Sequence, residues 1–387
     1  MKNKFIPLSV PNLKGNELKY VTDAIETEWV STAGPYVSKF EEQTAEYVKA
    51  KGAVSCQNGT SGLHISLMLT GVTREDAVFV PTLTFIAAVN PVKYIGATPI
   101  FMDCDDSLCM DPSKVEKYCE EECDFIDGKL IDKETGRHIK AMVVVHVFGN
   151  MADMDAIMEI AKKYNIKVVE DATEAIGTYY TSGKYAGKYA GTIGDLGVYS
   201  FNGNKIMTTG GGGMIVSNNE DYLKHAKHLT TQAKSDEVNF MHDEIGYNYR
   251  MTNLQAAMGL AQLEQLERFI STKESNYQIY KEKFKGTEYE LLDVRNDVRS
   301  NRWFYALSCD KLVVKRDDLI QYLSQKKVQT RPIWGLIHKQ LPYVKEKSYN
   351  IVKAEFYWER IVNIPCSTNL TPKETKYVAD LIVQYKG

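Results

Sequence analysis

Apolar positions in this chain recur with two periods. Leu18, Val21, Ile25 and Trp29 follow Asn16 and Glu17 at helical spacing, so Asn16 reads as an N-cap and the first element as an amphipathic helix. Short β-branched runs come next, at 53–56, 77–80, 98–102, 141–145 and 167–169, separated by helical patterns near 62–69, 85–94 and 154–164. Strands alternating with helices predict right-handed parallel crossovers in one buried sheet. The run MVVVHVFGN is apolar on both sides of its alternation, as a central parallel strand requires.

The alternation breaks between Cys123 and Lys140, where Asp127-Gly128 and Glu134-Thr135-Gly136 are turn signals around a short alternating run. This predicts a surface hairpin inserted near 123–140. From Met251 to about Lys285 one long helical pattern places Leu254, Ala257, Met258, Ala261, Leu263 and Leu266 on or near one face, and Gly286 stops it. We expect a helix over 251–286 linking a large domain, 1–250, to a small α+β domain, 287–387, announced by RWFYALSC and a helix near 317–325. The fold class expected is α/β with a mostly parallel central sheet. Internal repeats and low-complexity tracts are absent.

Composition narrows the function. The 387 residues suffice for two domains, and 47 basic against 50 acidic side chains leave a formal charge of −3 with no long run of one sign. A nucleic-acid partner is therefore not expected. No segment approaches the ~18 consecutive apolar residues of a membrane span. The N-terminal MKNKFIPLSVPNLKGNEL lacks the apolar centre of a secretory signal, and seven cysteines, an odd number, fit reduced thiols, so a cytoplasmic location is expected. Cys104, Cys109, Cys119 and Cys123 are separated by four, nine and three residues, which matches no paired zinc pattern, and no metal is expected.

Three segments carry candidate chemistry. In QNGTSGLHISL, Gly59, Thr60 and Ser61 stand between a predicted strand and a predicted helix, where backbone N–H groups and two hydroxyls suit a phosphate or an ordinary N-cap turn. In VVEDATEA, Asp171 follows an apolar strand, placed either to pair with a cationic ring nitrogen or to cap a helix. In GVYSFNGNKIMTTGGGGM, Ser200 and Lys205 flank a polar turn, and the glycine run lacks the Gly-Lys-Ser/Thr ending of a Walker loop. A lysine on such a turn is either a solvated charge or a nucleophile.

These segments belong to an ordered series: VPNLKGNEL, WVSTAGPYVSKFE, NGTSGL, PTLTFIA, HVFGN, EDATEA, YSFNGNK, GYNYRMTN and RPIW. Over nearly its whole length the chain resembles the DegT/DnrJ/EryC1/StrS family of pyridoxal-phosphate-dependent sugar aminotransferases, which implies the fold-type-I aspartate aminotransferase architecture. The resemblance implies that Lys205 carries pyridoxal 5'-phosphate as an internal Schiff base and that Asp171 holds its ring nitrogen protonated. Gly59, Thr60, Ser61 and Ser200 would surround the cofactor phosphate, Phe85 would stack on the ring, and Glu174, commonly Gln in relatives, would meet the ring hydroxyl. Asn248 would reach the phosphate in a partner subunit, making a homodimer with shared active sites. His64 and Tyr249 are expected to be packed.

The amino donor implied is L-glutamate and the acceptor a nucleotide-linked keto sugar, for which Trp29, Ser31, Thr32, Arg331 and His338 are the candidate contacts. The chain departs from the commonest pattern at Asn202-Gly203, where many relatives have His-Pro, and at Gly211, where Glu is usual. Lys205 is retained, which sets it apart from the dehydratase branch. The SFNGNK form and the hairpin insertion look like members acting on 4-keto-6-deoxy-N-acetylhexosamine nucleotides in bacillosamine and legionaminic acid pathways. Amination at another keto position, or a non-catalytic binding protein on the same fold, are the alternatives.

Overall fold

A computed structural model describes residues 4–236, 238–309 and 315–385. The β-branched runs assemble into a ten-stranded sheet whose main path is Gly52–Cys56, Gly213–Ser217, Leu196–Ser200, Lys167–Asp171, His138–Val145, Asp76–Pro81, Thr98–Met102 and Ser348–Tyr349. From Leu196–Ser200 to Ser348–Tyr349 every pairing on this path is parallel. Gly213–Ser217 runs antiparallel to both of its neighbours. The strand Asp76–Pro81 is buried at every position, which is why these segments read as continuous apolar runs. All seven cysteines are buried.

Several elements differ from the expectation. The first helix spans Glu17–Glu26 and stops before Trp29; Asn16 occupies its N-cap position, but its side chain makes no cap bond and donates to Glu264 Oε2 instead, at 2.8 Å. The pattern at 85–94 becomes a 3₁₀ turn, Ile86–Ala88, and a short helix, Asn90–Tyr94, because Pro91 lacks the N–H that a continuous helix would use. This leaves Phe85 extended. The long helix is two, Asn253–Leu263 and Leu266–Phe284. The break at Glu264 and Gln265 carries no Gly or Pro. It is set from outside, since Glu264 accepts from Asn16 and Tyr20 while Gln265 Nε2 donates to Glu17 Oε1 at 2.8 Å.

The stretch after Cys123 forms an antiparallel hairpin, Cys123–Ile126 with Lys129–Asp132. Asp127 and Gly128 both have positive φ, 50° and 75°, as the two central positions of a tight I′-type turn require. Asp132 at its end is buried; burial alone would raise its carboxyl, but hydrogen bonds from Tyr118, Lys347 and Thr135 hold it at about 2. Lys347 belongs to the segment that lays Ser348–Tyr349 along the sheet edge. Asp103 then caps the following helix, Lys353–Arg360, by accepting the N–H groups of Val352, Lys353 and Ala354.

A second apolar cluster gathers Tyr277, Tyr280, Tyr305, Leu319, Val362 and Val378, with Ile6 from the N-terminal segment. It packs a four-stranded antiparallel sheet (Glu290–Leu291, Tyr305–Ser308, Ile361–Ile364, Arg331–Pro332) against the helices Leu266–Phe284, Arg316–Gln325 and Pro372–Gln384. Lys273 is buried there, its Nζ donating to the carbonyls of Trp303 and Cys366 at 3.0 and 2.5 Å.

Candidate active site

The carboxyl ends of parallel strands are where an open α/β sheet exposes its ligand crevice. Asp171 ends Lys167–Asp171 and Ser200 ends Leu196–Ser200, so two polar side chains arrive at that rim by strand geometry alone. The helix Gly59–Leu69 begins beside them, capped by Asn58, whose Oδ1 accepts Ser61 N at 2.8 Å and Ser61 Oγ at 3.1 Å. Gly59 and Thr60 stand in the first turn, where N–H groups have no intrahelical acceptor, and both residues line the same space. Together these groups line a cavity of about 280 Å³.

Gly59, Thr60, Phe85, Asp171, Glu174, Ser200 and Lys205 all line this one cavity. A Cβ at Gly59 would stand 2.8 Å from Thr173 Cγ2 and 3.1 Å from Ser200 Cβ, so the cup between helix and strand admits no larger residue without a shift. Asp171 is 4% exposed and accepts Thr173 N–H at 3.1 Å. Burial raises its carboxyl above the usual range, against the pull of Thr173 and of Lys205 nearby. Behind it His146 Nε2 lies 2.8 Å from Glu170 Oε2, and Glu170 also accepts the N–H groups of Gly191, Ile193 and Gly194. Because His146 Nδ1 accepts Ala152 N–H, Nε2 carries the proton and the strand end is fixed.

Lys205 follows the turn closed by its own N–H on Asn202 O. Its Nζ is 3.6 Å from Glu174 Oε1 and 4.1 Å from the centroid of the Trp303 ring. Glu174 is buried, and desolvation pushes it up to about 7 although Lys205 and the Phe148 N–H favour its anion. That N–H reaches Glu174 Oε2 at 2.8 Å from a backbone with φ of 57°, a strained conformation for an aromatic residue.

Other candidates lie outside the cavity lining. Ser61 is buried behind the cup, engaged with Asn58. Trp29, Ser31 and Thr32 lie between the first two helices; the carbonyls of Trp29 and Ser31 accept from Asn253, at 2.7 and 2.6 Å. Asn248 bridges to Thr231. Arg331 is exposed on its short strand, and its guanidinium has no hydrogen-bond or ionic partner among the described residues. His338 Nδ1 lies 2.5 Å from Thr82 Oγ1. His64 packs edge-on against Tyr94 and Tyr247, and Tyr247 stacks on Tyr249.

The reading by motif missed the opposite wall, where Trp303 and Trp334 line the cavity. RWFYALSC signalled a strand and RPIW an arginine, and neither pattern says which way an indole faces.

The sequence pattern of the DegT/DnrJ/EryC1/StrS aminotransferase family matches residues 11–383. The chain belongs to this family. It is thus a pyridoxal-phosphate-dependent sugar aminotransferase. It is 37% identical over 383 residues to GDP-perosamine synthase of Escherichia coli O157:H7, covering 99% of both chains. It is 35% identical over 370 residues to GDP-perosamine synthase of Caulobacter vibrioides, covering 95% of this chain and 94% of the relative. A crystal structure of a DegT DnrJ EryC1 StrS aminotransferase from Brucella abortus superposes with a TM-score of 0.87 at 25% identity, covering 96% and 95% of the two chains. Among the described residues no helix is long and apolar enough to cross a membrane.

The cavity of the aminotransferase fits its cofactor by the chemistry of its donors. Free N–H groups and hydroxyls gather at a helix N-terminus, where an anionic phosphate is favoured. A buried carboxylate with acceptor capacity to spare and a lysine amine sit on the same cavity.

Proposed function

We propose that this aminotransferase moves the amino group of L-glutamate onto C4 of a 4-keto-6-deoxyhexose carried on a nucleoside diphosphate, in the cytoplasm, toward a bacterial surface glycan. The observation that carries the reading is the convergence of Asp171 and Lys205 on one cavity rimmed by a helix N-terminus. The names of the 37% and 35% identical relatives support the C4 amino sugar.

In this reading Lys205 bears the cofactor. As a free amine Lys205 would hold and move the proton of the donor's α-carbon, a general acid–base task that its flexible stem allows within hydrogen-bond reach. The bound pyridoxal phosphate supplies the electron sink for that step. Asp171 would accept from the ring nitrogen. Gly59 and Thr60 N–H groups, with the Thr60 and Ser200 hydroxyls, hold the phosphate, and Ser61 supports them through Asn58. Phe85 would cover one ring face, and Glu174 would meet the ring hydroxyl.

Asn248 reaches the cofactor phosphate of a second copy, which makes the working enzyme a homodimer. Arg331, an exposed guanidinium without a protein partner among the described residues, receives anionic groups of the substrates. Trp29, Ser31, Thr32 and His338 line the approach of the nucleotide sugar.

A second reading has an N-acetylated acceptor, a 4-keto-6-deoxy-N-acetylhexosamine of bacillosamine or legionaminic acid type. The SFNGNK turn and the hairpin Cys123–Ile126 with Lys129–Asp132 favour it. One experiment separates the two. Cofactor-loaded enzyme is supplied with L-glutamate and either a GDP-linked 4-keto-6-deoxyhexose or a UDP-linked 4-keto-6-deoxy-N-acetylhexosamine, and the product is read by mass spectrometry and NMR. Amination of the first alone supports the primary reading and of the second alone the other; transfer to neither, or to another carbon, overturns both.

A further inference from the structure

Trp303 is the residue through which distant parts of the molecule reach Lys205. Its ring centroid lies 4.1 Å from Lys205 Nζ, and its indole Nε1 donates to the carbonyl of Asn204, the residue before the lysine, at 2.9 Å. The ring is 2% exposed and stacks on Phe304 with 4.0 Å between centroids and 13° between planes. It has no freedom to leave.

Both ends of the Trp303 peptide are pinned as well. Its N–H donates to Asn301 Oδ1 at 3.0 Å, and its carbonyl accepts from the buried Lys273 Nζ at 3.0 Å. The Asn301 amide turns its other end to the carbonyls of Glu174 and Ile176, each at 2.9 Å. Glu174 is the carboxylate on the other side of Lys205, 3.6 Å away. One buried amide, Asn301, therefore fixes the spacing between the two groups that hold the lysine amine.

We propose that Trp303 is the positioning residue of Lys205: ring and N–H hold the lysine turn and its amine at one place against Glu174. The inference rests on Lys205 as the cofactor-bearing amine and on L-glutamate as donor. A leucine would fill much of the same volume, but it offers neither a π face to an ammonium nor a donor to Asn204. The free lysine stem has four rotatable bonds, and a reacting atom misplaced by about 1 Å costs on the order of 100-fold in rate.

The test compares wild type with Trp303→Leu and Trp303→Phe, the second keeping a ring without the N–H. Two quantities are read. One is the rate at which the visible absorbance band appears when pyridoxal phosphate is added to cofactor-free protein. The other is the single-turnover rate constant for loss of that band at saturating L-glutamate. Poorer folding lowers the amplitude of the second signal and leaves its rate constant alone, so a merely structural role does not move it. We expect Trp303→Leu to slow both rates about 10- to 100-fold, with half-saturation by glutamate within about two-fold of wild type, and Trp303→Phe to fall between.

Rate constants equal to wild type, whatever the amplitude, overturn the proposal. If Trp303→Leu does not fold, Trp303→Phe decides, since loss of the Asn204 bond alone is expected to slow band formation several-fold. If wild-type enzyme ignores L-glutamate, the donor assignment fails. The rate of band formation then judges Trp303 by itself, and an unchanged rate in both variants rejects the inference.

Discussion

The two walls of the active-site cavity are built by different means. One is polar and made of chain ends: Gly59 and Thr60 open a helix, while Asp171 and Ser200 finish parallel strands. The other is aromatic and made of remote segments: Trp303 and Trp334 line the cavity, and Phe148 packs against both from behind, with centroids 6.2 and 4.8 Å away, while Phe304 stacks on Trp303 at 4.0 Å. The polar groups are placed by backbone geometry that the sheet enforces. The aromatic wall is placed by the Trp303 N–H donating to Asn301 Oδ1, by Lys273 Nζ donating to the Trp303 carbonyl, and by a strained backbone at Phe148. The polar wall should therefore govern whether chemistry happens, and the aromatic wall how fast.

Lys205→Ala is the harshest test of that division. On the proposed function it removes the amine that would bear the cofactor, so the visible band should be absent and transfer should fall below detection while the protein stays folded by circular dichroism. An active variant would remove Lys205 from the mechanism altogether. Asp171→Ala comes next. It takes away the buried carboxylate proposed to pair with the ring nitrogen, and we expect kcat to fall about 10²–10³-fold, the usual scale for losing one preorganised electrostatic partner. Steady-state kinetics with cofactor in excess checks it; a loss confined to cofactor affinity would make Asp171 a binding group only.

The polar wall was legible in the sequence because its signals are local. NGTSGL places helix N-terminus, hydroxyls and glycine within six letters, and Asp171 and Ser200 each follow an apolar run. The glycine at 59 even carries its reason in the structure, the close approach of Thr173 and Ser200. The aromatic wall was not legible. Trp303 meets Lys205 across 98 positions, and Phe148 bonds Glu174 through a backbone conformation that no propensity favours. The helix break at Glu264–Gln265 was hidden for the same reason, since its partners are Asn16, Glu17 and Tyr20. Periodicity found the helices and missed the contact that divides them.

Glu174 stands where the walls meet, and its ionisation gives a third test. Burial pushes it up to about 7 from an ordinary 4.5, so between those pH values the folded protein holds a proton that the unfolded chain has lost. A raised carboxyl contributes its stability fully below the unfolded value and loses it as pH rises toward the folded one. In cofactor-free protein the loss between pH 4.5 and pH 8 should be on the order of 2–3 kcal/mol. Glu174→Gln should flatten that slope in urea unfolding followed across pH. An unchanged slope would mean that Lys205 keeps Glu174 ionised throughout, and the meeting point of the walls would be an ion pair at every pH.

The mildest expected effect is at Gly59. An alanine Cβ there would press on Thr173 Cγ2 at 2.8 Å and on Ser200 Cβ at 3.1 Å, so the cup must open by a few tenths of an ångström. Neither Lys205 nor Asp171 is touched. Gly59→Ala should therefore weaken pyridoxal phosphate binding about ten-fold, which is about 1.4 kcal/mol, and leave kcat of the loaded enzyme within about two-fold of wild type. Titrating cofactor-free protein by its visible band measures the first, and assay at saturating cofactor the second. A variant that binds normally but turns over slowly would reverse the assignment: the cup would then be positioning the ring for reaction rather than only holding its phosphate.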